Sequence, residues 1–400
     1  MSVCTPKGRI ASAKLIWAAR GANGAARQGR SSSDQGPFTS AYTPDVVFFF
    51  GSCDESTHAF AADHVFAAGL HTRCVTDDSS SDLGSSIASS KTSIASSLYH
   101  YRLENGRTYH RYKEGRYQYP NDEKESDRLD LQHELCLLTL DGKLGLAPPN
   151  DDDSKVKRVL DLGTGTGLWA IDFGDTHPEA EVIGVDLSPP TAEVPPNVIL
   201  EVDDIEEPWT YTRPFDYIHS RMMTSSISKW KEYFQKSFDN LVPGGYFEML
   251  EVGSQLQSDD GSMSEDSALV RSGELLREAC EIFGRPFQSI PALVDVMKEV
   301  GFVDIVMTKF KWPTNSWPKD QKHKLIGTWS LENNLEGIEG WTMAAYTRAL
   351  NWKKEEVQVF LIDVRKELKD RNIHAYMPIY AIYGKKPKKG LQVGSTPKSV

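Results

Sequence analysis

From Arg158 onward, the hydrophobic and polar positions switch between two periods. Short apolar runs at Arg158–Leu162, Glu181–Asp186, Val198–Glu201, Phe215–Ser220 and Tyr246–Glu251 read as strands. Between most of them the apolar spacing lengthens to that of helices, notably at Leu168–Gly174 and Ser228–Leu241. This alternation predicts an α/β fold, a parallel doubly wound sheet with helices on both faces. Helices near Ser264–Phe283 and Ile290–Val300 then precede a strand around Val303–Lys311. About sixty residues of helical period follow, including Lys353–Asp370 behind Asn351, before a last strand at His374–Gly384.

Upstream of the sheet, Asp122 with Glu125 three positions on has the pattern of a capping box. Leu129, His133, Cys136, Leu137 and Leu140 follow at helical spacing until Asp141–Lys143 breaks the run. A polar link, "PPNDDDSK", separates this helix from the sheet. Earlier still, ten of the nineteen residues from Ser79 to Ser97 are serine, too polar to offset the entropy of ordering. The predicted organisation is a disordered extension over 1–98, a helical cap segment over 99–150, an α/β domain over 151–388 and a flexible tail over 389–400. Residues 317–371 form a helical insertion within that domain.

Charge and composition narrow the function classes. The net charge of -11 argues against a dedicated nucleic-acid binder, which needs a basic face. The longest apolar run near the start, Val46–Phe50, is far too short to span a membrane. Cys4, Cys53, Cys74, Cys136 and Cys280 are dispersed, which suggests reduced thiols and neither a disulfide framework nor a zinc site. The histidines have no metal-ligand spacing, and no serine sits in a G-x-S-x-G elbow. Residues 1–33 carry Lys7, Arg9, Lys14, Arg20, Arg27 and Arg30 and no acid. That start resembles a mitochondrial presequence, or else is a disordered extension or mis-called exon. Lys385–Lys389 reads either as nuclear import or as a solvated terminus. Location is therefore expected to be cytoplasmic or nuclear, with mitochondrial import the alternative.

The candidate chemistry centres on "VLDLGTGTGLWAIDF", Val159 to Phe173. Gly163, Gly165 and Gly167 mark a nucleotide loop between a strand and a helix. A dinucleotide fingerprint would place a small residue where this chain has Leu168, and its third glycine comes one position early. Asp161, two residues before the first glycine, would repel a pyrophosphate but accept hydrogen bonds from an ammonium group. Asp186 ends the second strand, where an acid accepts from ribose hydroxyls. Asp204 followed by Ile205 at the third strand's end suits an adenine, with Asp203 the neighbouring alternative.

The successive segments "DLGTGTG", "GVDLS", "VDDIEEPW", "FDYIHSR" and "LVPGGYFEMLE" resemble the motifs of class I S-adenosylmethionine-dependent methyltransferases. More narrowly, "ENGRTYHRYKEGRYQYPND", "RLDLQHELCLLTLDGKLGLAP" and "HAYMPIYAIYGKKP" resemble fungal methyltransferases of the LaeA-like and UMTA type, associated with secondary metabolism and its regulation. The resemblance runs from about Tyr99 to Lys388. It implies a Rossmann-like seven-stranded sheet with an antiparallel last strand, and S-adenosyl-L-methionine bound along the strand tips. Asp161, Gly163 and Gly165, in the loop that Gly167 completes, would hold its amino-acid end. Asp186 would hold the ribose, and Asp204 with Ile205 the adenine.

Methyl transfer is an in-line displacement, so the protein mainly supplies proximity and orientation. His219, ending the fourth strand, is the candidate general base, against a structural role. Arg221 is placed to orient an anionic acceptor, while Tyr109, Tyr117 and Tyr246 are candidates to shape the pocket. Tyr109, His110 and Tyr117 serve equally to pin the N-terminal segment over the sheet. Glu251 reads as either a solvated strand-end charge or a substrate ligand. The insertion is expected to form a lid or substrate wall. The favoured function is methylation of a small secondary metabolite at oxygen. The alternatives are a LaeA-like regulator acting in the nucleus through a velvet-type protein partner, and a NAD(P)-dependent oxidoreductase.

Overall fold

The computed structural model describes residues 101–110, 118–188 and 192–388. The predicted extension over 1–98, Tyr117 and the tail over 389–400 lie outside the described residues. The chain opens with a hairpin, β1 (Arg102–Glu104) and β2 (Arg107–Tyr109), that periodicity does not reveal. Its turn, Asn105–Gly106, has φ of 53° and 86°, the left-handed pair that tight hairpin turns require. Helix α1 (Glu123–Thr139) follows with Asp122 as its N-cap, accepting from the Glu125 N–H. The Glu125 side chain does not complete the capping box but turns inward to Arg128.

Five strands then run parallel: β3 (Arg158–Leu162), β4 (Glu181–Asp186), β5 (Val198–Val202), β6 (Phe215–Arg221) and β7 (Leu241–Val252). Helix α2 (Leu168–Thr176) joins β3 to β4, and α3 (Trp230–Asp239) joins β6 to β7. A two-residue strand not foreseen, β8 (Gln257–Ser258), precedes α4 (Ala268–Ile282) and α5 (Ile290–Val300). Strand β9 (Val303–Pro313) leads to α6 (Gln321–Ala349) and α7 (Lys354–Lys369), and β10 (Ala375–Lys385) ends the sheet. The order is β5-β4-β3-β6-β7-β10, with β9 and β8 both paired to β10. Strand β10 is antiparallel to β7 and to β9. The seven expected strands are all present, and β8 is an added edge piece.

Alternating side chains divide the core. Leu160, Leu162, Ile183 and Val185 pack on one face with Phe234 of α3 and Leu293 of α5. Val159, Val182, Val198 and Tyr217 pack on the other with Trp169 and Phe173 of α2. A separate cluster joins Leu269 and Leu275 of α4, Tyr346 of α6, and Val357 and Leu361 of α7. Helices α6 and α7 therefore share this helical core with α4, which precedes them in the chain.

The strand order reverses between β3 and β6, because β4 and β5 lie to one side of β3 and β6 and β7 to the other. The glycine loop after β3 sits at this switch point, where α/β sheets hold ligands. Gly167 caps α2 at φ 85°, and a Cβ there would stand 2.9 Å from Leu200 Cδ1. Gly167→Ala is expected to destabilise the fold by about 1–3 kcal/mol through left-handed strain and this overlap. Urea unfolding should record the loss as a lower midpoint with an unchanged slope.

Candidate active site

The carboxyl ends of all five parallel strands open into one cavity of about 540 Å³. That size falls within the range of small-molecule sites. Gly163, Gly165, Asp186, Asp204, Ile205 and Arg221 all line it, so the structure brings these sequence-predicted residues together. Gly163 and Gly165 adopt φ of 70° and 59°, conformations that glycine takes without strain. A Cβ on Gly163 would lie 2.6 Å from the Met223 sulfur, and one on Gly165 would lie 3.4 Å from Leu129 Cδ1. The loop is a cradle with little room to spare.

Asp186 ties the cradle to the tip of β4. Its Oδ2 accepts from the Gly165 N–H at 2.9 Å and its Oδ1 from the Ser188 N–H at 3.0 Å. Burial pushes its carboxyl above the usual range, opposed by these backbone bonds. Asp204 is buried at the tip of β5 and accepts from the Glu206 N–H at 2.9 Å. Asp203 lines the cavity as well, so both acids considered for the adenine end are present there.

Asp161 and His219 do not line the cavity, contrary to expectation. They face each other in register on β3 and β6, with their side chains on the α2 face. Asp161 Oδ1 meets His219 Nδ1 at 2.8 Å, and its Oδ2 accepts from the Thr164 hydroxyl at 2.7 Å. Trp169 lies flat on the imidazole, with centroids 3.7 Å apart and planes 5° apart. Burial lowers the His219 pKa to about 4, against the pull of Asp161, so the ring is neutral at physiological pH. His219 is therefore a buried support for the loop and not a base that touches the acceptor. Asp161, with one oxygen on His219, braces the loop through Thr164 with the other.

Two tyrosines are also corrected. Tyr246 pairs with Tyr217 in register and stands two residues before Glu248, toward the amino end of β7 and away from the strand tips. Tyr109 is buried beneath the Arg348 guanidinium, 4.7 Å from its ring centroid, outside the cavity lining. With the Glu104–Arg348 ion pair it pins the hairpin to α6, the structural alternative considered for it.

Glu251 is neither a solvated charge nor a cavity residue. It is fully buried and accepts from the Met223 N–H at 2.9 Å and the Thr224 hydroxyl at 2.6 Å. Burial raises its pKa to about 7. The folded state thus holds this proton more tightly than the unfolded chain, which releases it near pH 4.5. Its stabilising contribution is complete below about pH 4.5 and falls as pH rises to about 7, by about 3 kcal/mol. Glu251→Gln mimics the protonated form and should flatten that slope, leaving the variant more stable than wild type at pH 8 in thermal unfolding.

Periodicity placed Leu129, His133 and Cys136 at helical spacing but did not show what that helix faces. Helix α1 lays Leu129, His133 and Cys136 against the cavity. Met222 takes φ 57°, uncommon for a non-glycine residue, and its N–H donates to Leu250 O at 2.9 Å. This bend turns residues 222–226 out of β6 and along the cavity wall. Asn333 and Trp341 of α6 and Val364 of α7 also line the cavity. Among the described residues, no group of acids, cysteines and histidines is arranged to hold a metal ion. Nor is any helix there long and apolar enough to cross a membrane.

Residues 130–306, which include the glycine loop and all five parallel strands, match the family model described as a methyltransferase domain. Methyltransferase pytC of Aspergillus terreus is 40% identical over 301 residues, 75% of this chain and 92% of that protein. The chain belongs to this family of fungal methyltransferases. The secondary metabolism regulator LAE1 of Cochliobolus heterostrophus is 37% identical, over 72% of this chain and 95% of its own length. The laeA regulator of Aspergillus fumigatus is 33% identical over 71% and 76%. The protein is an S-adenosylmethionine-dependent methyltransferase, and the oxidoreductase alternative falls away. The glycine cradle and the acids at two strand tips line one cavity at the strand ends, which suits a cofactor of that size and polarity.

Proposed function

We propose that this methyltransferase acts on a small, largely apolar secondary metabolite at an oxygen atom. One observation carries the reading: the cavity that begins at the glycine loop continues to an apolar wall that includes Leu269, Leu276, Trp312, Ile338 and Trp341. Gly163 and Gly165 would admit the cofactor's amino-acid end, Asp186 would accept from its ribose hydroxyls, and Asp204 with Ile205 would take the adenine. Bound there, S-adenosylmethionine would supply an electrophilic methyl carbon for in-line displacement by the acceptor oxygen, with its thioether as the leaving group. The chain's own part is to align the acceptor and exclude water. In this reading residues 151–388 are the catalytic domain and 99–150 its cap.

A second reading, regulation through a velvet-type protein partner in the nucleus, draws support from the likeness to LAE1. Labelled methyl transfer in fungal extract separates the two. Label in the organic-soluble fraction is expected. Label confined to protein, or binding to a velvet-type protein without any transfer, would overturn the small-molecule reading.

A further inference from the structure

Four arginines line the cavity of a chain whose net charge is -11: Arg128, Arg221, Arg277 and Arg285. Two are neutralised on the spot, Arg128 by Glu125 and Arg285 by Glu206. The other two meet only neutral groups among the described residues. The Arg277 guanidinium faces the Gln255 amide oxygen, and its Nε is buried without a hydrogen-bond partner. Arg221 Nη2 reaches His133 Nδ1 at 3.0 Å, and the Cys136 thiol lies against the same guanidinium. A half-buried cation without a carboxylate is costly unless something anionic joins it.

The support behind Arg221 is directional. Arginine only donates, so His133 Nδ1 must accept, and the imidazole proton sits on Nε2. That N–H donates to Asp172 Oδ2 at 3.0 Å. Helix α2 thus holds α1's histidine, which in turn holds the arginine. Ser220 pairs with Leu162 across β6 and β3, so Arg221 emerges level with Gly163, the first residue of the cradle.

We propose that the acceptor binds as an oxyanion on an apolar skeleton, a carboxylate, phenolate or enolate, with its charged oxygen on Arg221 and with His133 and Asp172 as positioning residues. This rests on the methyltransferase site reading above and narrows its substrate class. The acceptor's proton is lost to solvent before binding, so no side chain need remove it. That agrees with His219 lying neutral beneath Trp169.

The test uses the full chain saturated with S-adenosylhomocysteine and titrated calorimetrically with 2-naphthoate and its neutral counterpart, 2-naphthamide. Naphthoate should bind at least about tenfold more tightly. Arg221→Gln should erase that ratio while leaving S-adenosylhomocysteine affinity unchanged. His133→Phe and Asp172→Ala should narrow the ratio several-fold, whereas Asp172→Asn, which keeps an oxygen for His133, should preserve most of it. Equal binding of the two probes, or no naphthoate binding at millimolar concentration, overturns the proposal. A ratio that survives Arg221→Gln and vanishes in Arg277→Gln overturns it too, as does a parallel loss of S-adenosylhomocysteine affinity in Arg221→Gln. A wild-type chain that fails to bind S-adenosylhomocysteine overturns instead the underlying assignment of the cofactor site.

Discussion

Asp186→Ala is expected to weaken S-adenosylmethionine binding by about 100-fold in calorimetry. Two losses combine. The carboxylate at the tip of β4 faces the cavity, where it would accept from a pair of ribose hydroxyls. It also accepts the Gly165 and Ser188 N–H groups, and so fixes the shape of the loop that receives the ligand. A hydrogen bond to a charged group is worth about 1.5–3 kcal/mol, and leaving the Gly165 N–H unpaired adds a desolvation cost. Asp186→Asn, which keeps one acceptor oxygen, should fall between the variant and wild type. Affinity unchanged in Asp186→Ala would refute the ribose assignment.

Trp169→Ala should cost about 3–5 kcal/mol of folding stability, measured by urea unfolding followed by circular dichroism. The indole is fully buried on the α2 face between Phe173, Tyr217 and His219. Its N–H donates to Leu144 O at 2.9 Å, which ties the segment ahead of β3 to the helix after it. Removing the ring opens a cavity beside the Asp161–His219 pair and admits water to an imidazole that burial keeps neutral. A second consequence is that His219 should titrate closer to an ordinary histidine, visible in its NMR proton shifts. A loss below about 1 kcal/mol would mean that the site collapses around the gap.

Much of this architecture was legible because it is local. Strands β3 and β4 and helix α5 fall at the bounds their apolar spacing predicts. The N-cap at Asp122 is a three-residue signal, and α1 begins there. The hairpin was missed because three-residue strands are too short for a period to register, although Asn105–Gly106 was the available clue. That Leu129, Arg277 and Trp341 face the cavity was not legible for another reason. Each lies on a helix whose packing partner comes from elsewhere in the chain.

The sequence by itself determined the doubly wound sheet, the left-handed glycine loop at its switch point and the acids at the tips of β4 and β5. Those features follow from residue order and backbone preference over a few positions. Tertiary structure decided which polar groups face the ligand. Asp161 and His219 sit at strand ends in the sequence, but the two-residue alternation of their strands turns both to the α2 face, where register pairs them and Trp169 covers them. Glu251 ends a strand too, yet Met223 and Thr224 close over it. Arg221 has the opposite outcome: Met222 bends the chain out of the sheet beside it, and His133 and Asp172 hold its guanidinium at the cavity. Facing depends on register and on what covers each position, and both are set by contacts between segments far apart in the chain.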